Sequence, residues 1–171
     1  KTFHQFIPYT DRLDYLAPLS NNVAYIQAVE KLLGITPPPR AQWIRVLCCE
    51  LARISAHLLG VGTWALDVGA MSMFFYTFRE REEIYNLFER LTGARMTTSF
   101  TRIGGVMADL PEGFLEQVDA FVDAMGPKID DYERLLSKNR IWIKRTRDIG
   151  VISAADAIDM GLTGPSLRAS G

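Results

Sequence analysis

A chain of 171 residues, 48% hydrophobic and 23% charged, is long enough and apolar enough to build one domain around a real core. Nineteen basic side chains against twenty acidic ones leave a net charge of −1, and no basic run exceeds two residues, so nothing in the composition attracts nucleic acid or another polyanion. The cysteines, Cys48 and Cys49, are adjacent; neighbours rarely meet disulfide geometry and lack the C-x-x-C spacing of zinc or iron–sulfur ligands, so they read as small, reduced core residues.

A turn of helix is expected over Asp11–Ala17, cut by Pro18. Ser20 is placed to cap a helix that runs to Leu33 and stops at Gly34. After Pro37-Pro38-Pro39 comes a long helix on which Ile44, Leu47, Leu51, Ile54 and Leu58 draw one apolar stripe. Residues 58–78 hold a single charge, Asp67, and are long enough to span a bilayer. Three glycines and a central acid argue otherwise, since a carboxylate at mid-membrane costs about 2.5–3.5 kcal/mol; a buried helix, a turn and a second buried helix explain the same letters. The third long helix, Ser72–Leu91, turns Phe74, Phe78, Leu87 and Leu91 inward and is followed by Gly93.

Residues 100–106 are expected to be extended, turning at Gly104-Gly105. Asp109 and Glu112 form a capping-box pattern with Pro111 between them. The helix that follows carries Phe114, Val118, Phe121, Met125, Ile129, Tyr132 and Leu136 on one face, with Pro127 placed to kink it. A last short helix starts at Ser153 and stops at Gly161. Four amphipathic helices with short connections can bury their stripes only against each other. The expected fold class is therefore all-α, a helical bundle of about four long helices forming a single domain over residues 1–171.

Few residues offer chemistry. His4 and His57 are the only histidines, and no Glu is followed three residues later by His, which removes a di-iron bundle site. Gly60–Ala65 matches G-x-G-x-x-[GA], but in a helical context where a nucleotide loop does not form; close packing, or room for a flat ligand, is the better reading. If the helix continues past Gly62, then His57, Gly60, Thr63 (or Trp64) and Asp67 share a face, with Met71, Phe74 and Phe75 just beyond. That pattern suits an apolar slot for a hydrophobic ligand with a polar head, or simply side chains that cap and pair with neighbouring elements. Pro8–Tyr15 crowds two tyrosines, two acids and an arginine into eight residues, as a site or as a surface ion-pair cluster. Arg79–Glu83 reads as a solvated, ion-paired helix face.

The strings PYTDRLDYL (8–16), AVEKLLGI (28–35), LDVGAM (66–71), FREREEIYNLFERLTGARM (78–96), RIGGV (102–106) and GLTGPSLRASG (161–171) occur in order. Together they resemble the D-subunit family of respiratory NADH:quinone oxidoreductase (complex I), a relative of hydrogenase large subunits. Starting at Lys1 and stopping at Gly171, the chain reads as the central part of such a polypeptide. The resemblance implies a peripheral-arm component packed against a neighbour that holds the terminal [4Fe-4S] cluster. NADH is oxidised in another subunit, quinone is the substrate, and electron transfer is coupled to proton translocation. Partners would be other peripheral-arm and membrane-arm subunits, at the cytoplasmic face of the bacterial inner membrane.

By the same resemblance, Tyr15 of the DRLDY motif hydrogen-bonds the quinone head group. Asp67 of the L-D-x-G-A motif sits near it, paired with a histidine from a region outside this chain. Both are implied catalytic residues, Thr63 and Phe75 are implied pocket residues, and no metal is bound by this segment itself. Two segments depart from the family pattern: Thr97 replaces a frequent histidine, which implies a cluster potential that depends weakly on pH, and Ser72-Met73 replaces Thr-Pro. The competing readings are a [NiFe]-hydrogenase large subunit, whose nickel-binding cysteine pairs would lie outside this segment, and a non-catalytic helical scaffold docking neighbouring subunits.

Overall fold

Pro18 begins a long helix instead of merely interrupting a short one, because a proline at the first helical position gives up an N–H that has no intrahelical partner anyway. The computed structural model describes residues 2–171. Along them run α1 (Phe3–Thr10), α2 (Pro18–Leu33), α3 (Pro39–Asp67), α4 (Met71–Thr92), β1 (Thr101–Arg102), β2 (Gly105–Val106), α5 (Phe114–Leu136), α6 (Arg140–Thr146), α7 (Ala154–Asp159) and α8 (Gly164–Ala169). The fold class is all-α, with the four long helices read from the sequence and one two-stranded antiparallel hairpin, Thr101 opposite Val106 and Arg102 opposite Gly105.

Several boundaries differ from expectation, each for a local reason. The first helix lies earlier, because Thr2 and Gln5 close a capping box; the stretch Asp11–Ala17 is a series of turns and bends. Ser20 falls inside α2 and caps nothing at its start. Gly34 and Gly93 do end α2 and α4, both in the left-handed conformation. Asp109 does not cap α5. It takes the Arg40 guanidinium at 2.8 Å and its neighbour's Leu110 N–H instead, and the helix starts later, at Phe114.

α3 runs for 29 residues straight through both Gly60 and Gly62. The turn at Val68–Ala70, with Gly69 at φ +99°, then sends the chain back as α4. The two helices lie antiparallel along their length, Gly62 against Thr77 and Ser55 against Arg81. Residues 58–78 are thus two packed helices and a turn, and no helix among the described residues is long and apolar enough to cross a membrane. The buried face of α3 is Ile44, Cys48, Leu51, Ser55, Leu58, Gly62 and Ala65, with Leu47 and Ile54 only half-buried at its margin. Leu19 and Ile26 of α2, Met73, Ile84 and Phe88 of α4, Phe100 and the α5 residues Phe114, Val118 and Phe121 are also buried.

The hairpin is fastened by charge. Arg45 of α3 and Glu30 of α2, 3% and 4% exposed, form a two-pronged ion pair at 2.6 and 3.0 Å. The same guanidinium donates to the carbonyls of Arg102 and Gly105, and a Glu30 oxygen accepts from the Gly104 N–H at 2.7 Å. Arg45 holds the Glu30 carboxyl below the usual carboxylate range. Contacts divide the chain into two compact units, one reaching Asp131 and the other Tyr132–Gly171. In the second, Asn139 caps α6, and Ser153 caps α7, which ends before Gly161 as expected but is not the last helix, since α8 follows with Pro165 in its first turn.

Candidate functional site

The turn after α1 is tied down at almost every residue. Thr10 Oγ1 donates to the Ile7 carbonyl at 2.7 Å and accepts from Asn22 Nδ2 at 2.6 Å. Arg12 donates to the Pro8 carbonyl. Asp14 Oδ1 accepts from the Leu16 N–H at 3.0 Å, and the Asp14 carbonyl accepts from Asn21. Tyr15, at the centre of this turn, is 60% exposed, and its hydroxyl has no hydrogen-bond partner among the described residues. The backbone is held while the phenol remains free to donate one hydrogen bond outward.

The last turns of α3 form the second feature. His57, Gly60, Trp64 and Asp67 are all exposed along one line, so the expected shared face exists, with Trp64 and not Thr63 completing it. Thr63 is half-buried, and its hydroxyl donates back to the Leu59 and Gly60 carbonyls, leaving only lone pairs to offer. The two glycines have different jobs. A Cβ on Gly62 would stand 2.2 Å from Thr77 Oγ1, so its missing side chain lets α4 approach; a Cβ on Gly60 would meet nothing within 4 Å. Asp67 is the last residue of α3, where the helix dipole disfavours negative charge, and no basic residue occupies the last turn. It has no ion pair or hydrogen bond among the described residues.

Across the turn, Phe75 is 62% exposed and stands edge-on to Phe74 at 5.8 Å. Trp64 and Met71 are likewise exposed. The apolar slot expected here is not enclosed within the described chain: Trp64, Met71 and Phe75 are each exposed, and none lines a groove among the described residues. Thr63 and Asp67 lie in the last turns of α3 and Phe75 in the second turn of α4, and no hydrogen bond, ion pair or ring contact among the described residues joins Phe75 to either. Tyr15 lies in the same unit, yet no hydrogen bond, ion pair or ring contact joins it to Asp67. Three surface grooves avoid these residues: one between α4 and α5 (about 520 Å³, with Glu80, Arg90, Phe121 and Lys128), one beside Glu30 and Cys49, and an apolar one around Trp43, Leu47 and Leu115.

Periodicity alone misplaced the charges of α4. Within the supposed solvated face, Glu80 and Arg81 are buried. Glu80 binds Arg79 and Lys128, while Arg81 donates to Ser55 and Tyr85 and lies over the Phe78 and Tyr85 rings. Burial lowers the Arg81 pKa. The signal was available: positions 80 and 81 are in phase with the buried Met73, Thr77, Ile84 and Phe88. The cysteines are free, and burial pushes the Cys48 thiol up to about 12.

Residues 67–171 match the family described as "Respiratory-chain NADH dehydrogenase, 49 Kd subunit". The chain belongs to that family. It is 63% identical over 169 residues to the NADH-quinone oxidoreductase D subunit of Methylacidiphilum infernorum, covering 99% of this chain and 40% of that protein. It is 58% identical to the D 1 subunit of the same enzyme in Opitutus terrae (99% and 40%) and 57% identical to the D subunit in Geotalea uraniireducens (100% and 44%). The chain thus spans about two fifths of the length of these relatives, and the resemblance read from its motifs holds over nearly all of its own length. Asp67 and Phe75 fall within the segment matched to the 49 Kd family; Tyr15 and Thr63 fall before it.

Proposed function

We propose that this chain forms part of the quinone-reduction site of an NADH:quinone oxidoreductase, with Tyr15 and Asp67 serving proton delivery and Thr63 and Phe75 lining the pocket. The supporting observation is the exposed Tyr15 phenol, which has no hydrogen-bond partner among the described residues and sits on a turn whose backbone is firmly held. Membership of the 49 Kd family supplies the context.

Reduction of a quinone places negative charge on its two ring oxygens, and each must gain a proton. A phenol carries its proton at neutral pH and can donate to one such oxygen. Asp67, with its carboxylate unpaired among the described residues at the disfavoured end of α3, is suited to orient and recharge a histidine supplied from outside this segment. The exposed Phe75, Trp64 and Met71 offer apolar surface to the ring and tail of such a ligand.

A [4Fe-4S] cluster needs four thiolates, and the adjacent Cys48 and Cys49, the first fully buried, do not fit it. The cluster is assigned to a neighbouring peripheral-arm subunit, which supplies the electrons. NADH oxidation belongs to another subunit and proton translocation to the membrane-arm partners. The whole complex belongs at the cytoplasmic face of the bacterial inner membrane.

The test is Tyr15→Phe in the assembled enzyme. Losing the donor should lower NADH:quinone reductase activity about 10²–10⁴-fold, while NADH oxidation by ferricyanide stays intact. Full quinone reduction by the variant would reduce this chain to a docking scaffold.

A further inference from the structure

We infer that Asp11 is a positioning residue for the Tyr15 turn, acting through its hydrogen bond to Ser99; this rests on the role of Tyr15 proposed above. Asp11 is completely buried, and its Oδ2 accepts the Ser99 hydroxyl from 88 residues away in the chain. Of the side-chain hydrogen bonds made by residues 11–17 among those described, this is the one that reaches past α2. Between the end of α1 and the start of α2 the other hydrogen bonds are local, tying the turn to itself, to the end of α1 and to the first turn of α2. The long-range bond therefore fixes where the turn, and with it Tyr15, stands against the segment that leads into β1.

Both partners give up something to make this bond. A buried carboxylate is disfavoured unless fully paired. Asp11 has the hydroxyl and an Arg12 nitrogen at 3.7 Å, and its Oδ1 accepts no hydrogen bond. Ser99 is held at φ +42°, a conformation that glycine adopts freely and serine does not. The other buried side-chain oxygens without a partner among the described residues are Asn22 Oδ1, Thr98 Oγ1 and Thr101 Oγ1. Thr98 adjoins Ser99, Thr101 follows it by two residues, and Asn22 donates to Thr10, which precedes Asp11. Unsatisfied polarity and backbone strain thus gather at one junction, four residues before the phenol. A junction selected for stability alone would be apolar with glycine at position 99; this one favours position.

The decisive variant is Ser99→Gly, which relieves the backbone but deletes the hydroxyl. In the assembled enzyme, assayed with a short-chain benzoquinone, kcat/KM should fall about tenfold, the loss expected of one hydrogen bond to a charged group. NADH oxidation by ferricyanide should not change. Ser99→Asn, which supplies an N–H donor and tolerates the left-handed backbone, should restore most of the loss. In a Tyr15→Phe background, Ser99→Gly should cause no further fall, because the effect passes through the phenol. Unchanged kcat/KM in Ser99→Gly overturns the inference. So does an equal fall in both backgrounds, which would mark a merely structural bond. If Tyr15→Phe is itself without effect, the proposed role of Tyr15 fails first, and that outcome is distinct from the other two.

Discussion

The two ends of α3 handle charge in opposite ways. Near its N-terminus, Arg45 is buried, with its donors spent on Glu30 and on the carbonyls of the hairpin. At its C-terminus, Asp67 is exposed and has no partner among the described residues, and the nearby Trp64 and Met71 are exposed as well. A buried ion pair with its hydrogen bonds complete locks geometry and leaves nothing to offer a ligand. An acid left alone at the negative end of a helix is poorly placed for stability, and it becomes intelligible if its counterpart arrives from elsewhere. One end fastens the hairpin; the other carries an acid that the described residues leave unpartnered.

The sharpest way to break this contrast is Asp67→Asn. In the assembled enzyme it should lower quinone reduction by about 10²-fold or more while leaving the unfolding midpoint unchanged or slightly raised; a stability loss with normal turnover would reverse the assignment. Glu30→Ala is the mirror experiment. Leaving Arg45 buried without its acid should cost about 3–5 kcal/mol in denaturant unfolding.

The pair also carries a pH signature. Arg45 holds the Glu30 carboxyl below its ordinary range, so the unfolded chain takes up a proton first as pH falls. The contribution is complete above that range and is lost as pH drops through the lowered pKa; Glu30→Gln should flatten this acid slope. Smaller effects separate the glycines. Gly62→Ala should destabilise by about 1–3 kcal/mol through overpacking on Thr77, whereas Gly60→Ala should stabilise by about 0.5–1 kcal/mol, because it fills open space and favours the helix. Smallest of all, Asp109→Asn removes an exposed partner of Arg40 and should leave the midpoint where it was.

The helices were legible because apolar spacing is a local signal: Ile44, Leu51 and Leu58 announce α3, and Gly34 and Gly93 announce two ends. The hairpin turn at Gly104-Gly105 was readable for the same reason. What spacing does not carry is polarity turned inward. Glu30, Arg45, Glu80 and Asp11 are charged letters in buried positions, and each is explained by a partner 15 to 88 residues away. The α1 capping box of Thr2 and Gln5 is a local signal too, but the dense run of tyrosines and acids just after it is the louder one. Spacing had marked Asp67 as one of a shared helical face and Tyr15 as one of a crowded run, but the roles proposed for them rest on the family motifs, since neither an exposed phenol nor a helix-end acid announces a role by itself.

The anchoring of the hairpin by Glu30 and Arg45 also has a kinetic side. Gly104, Gly105 and Arg102 bind side chains drawn from both α2 and α3, so their full set of bonds needs both helices in place. The hairpin is therefore expected to form late on the folding route. Substitutions there should speed unfolding and leave the refolding rate nearly untouched, as a chevron measurement would register.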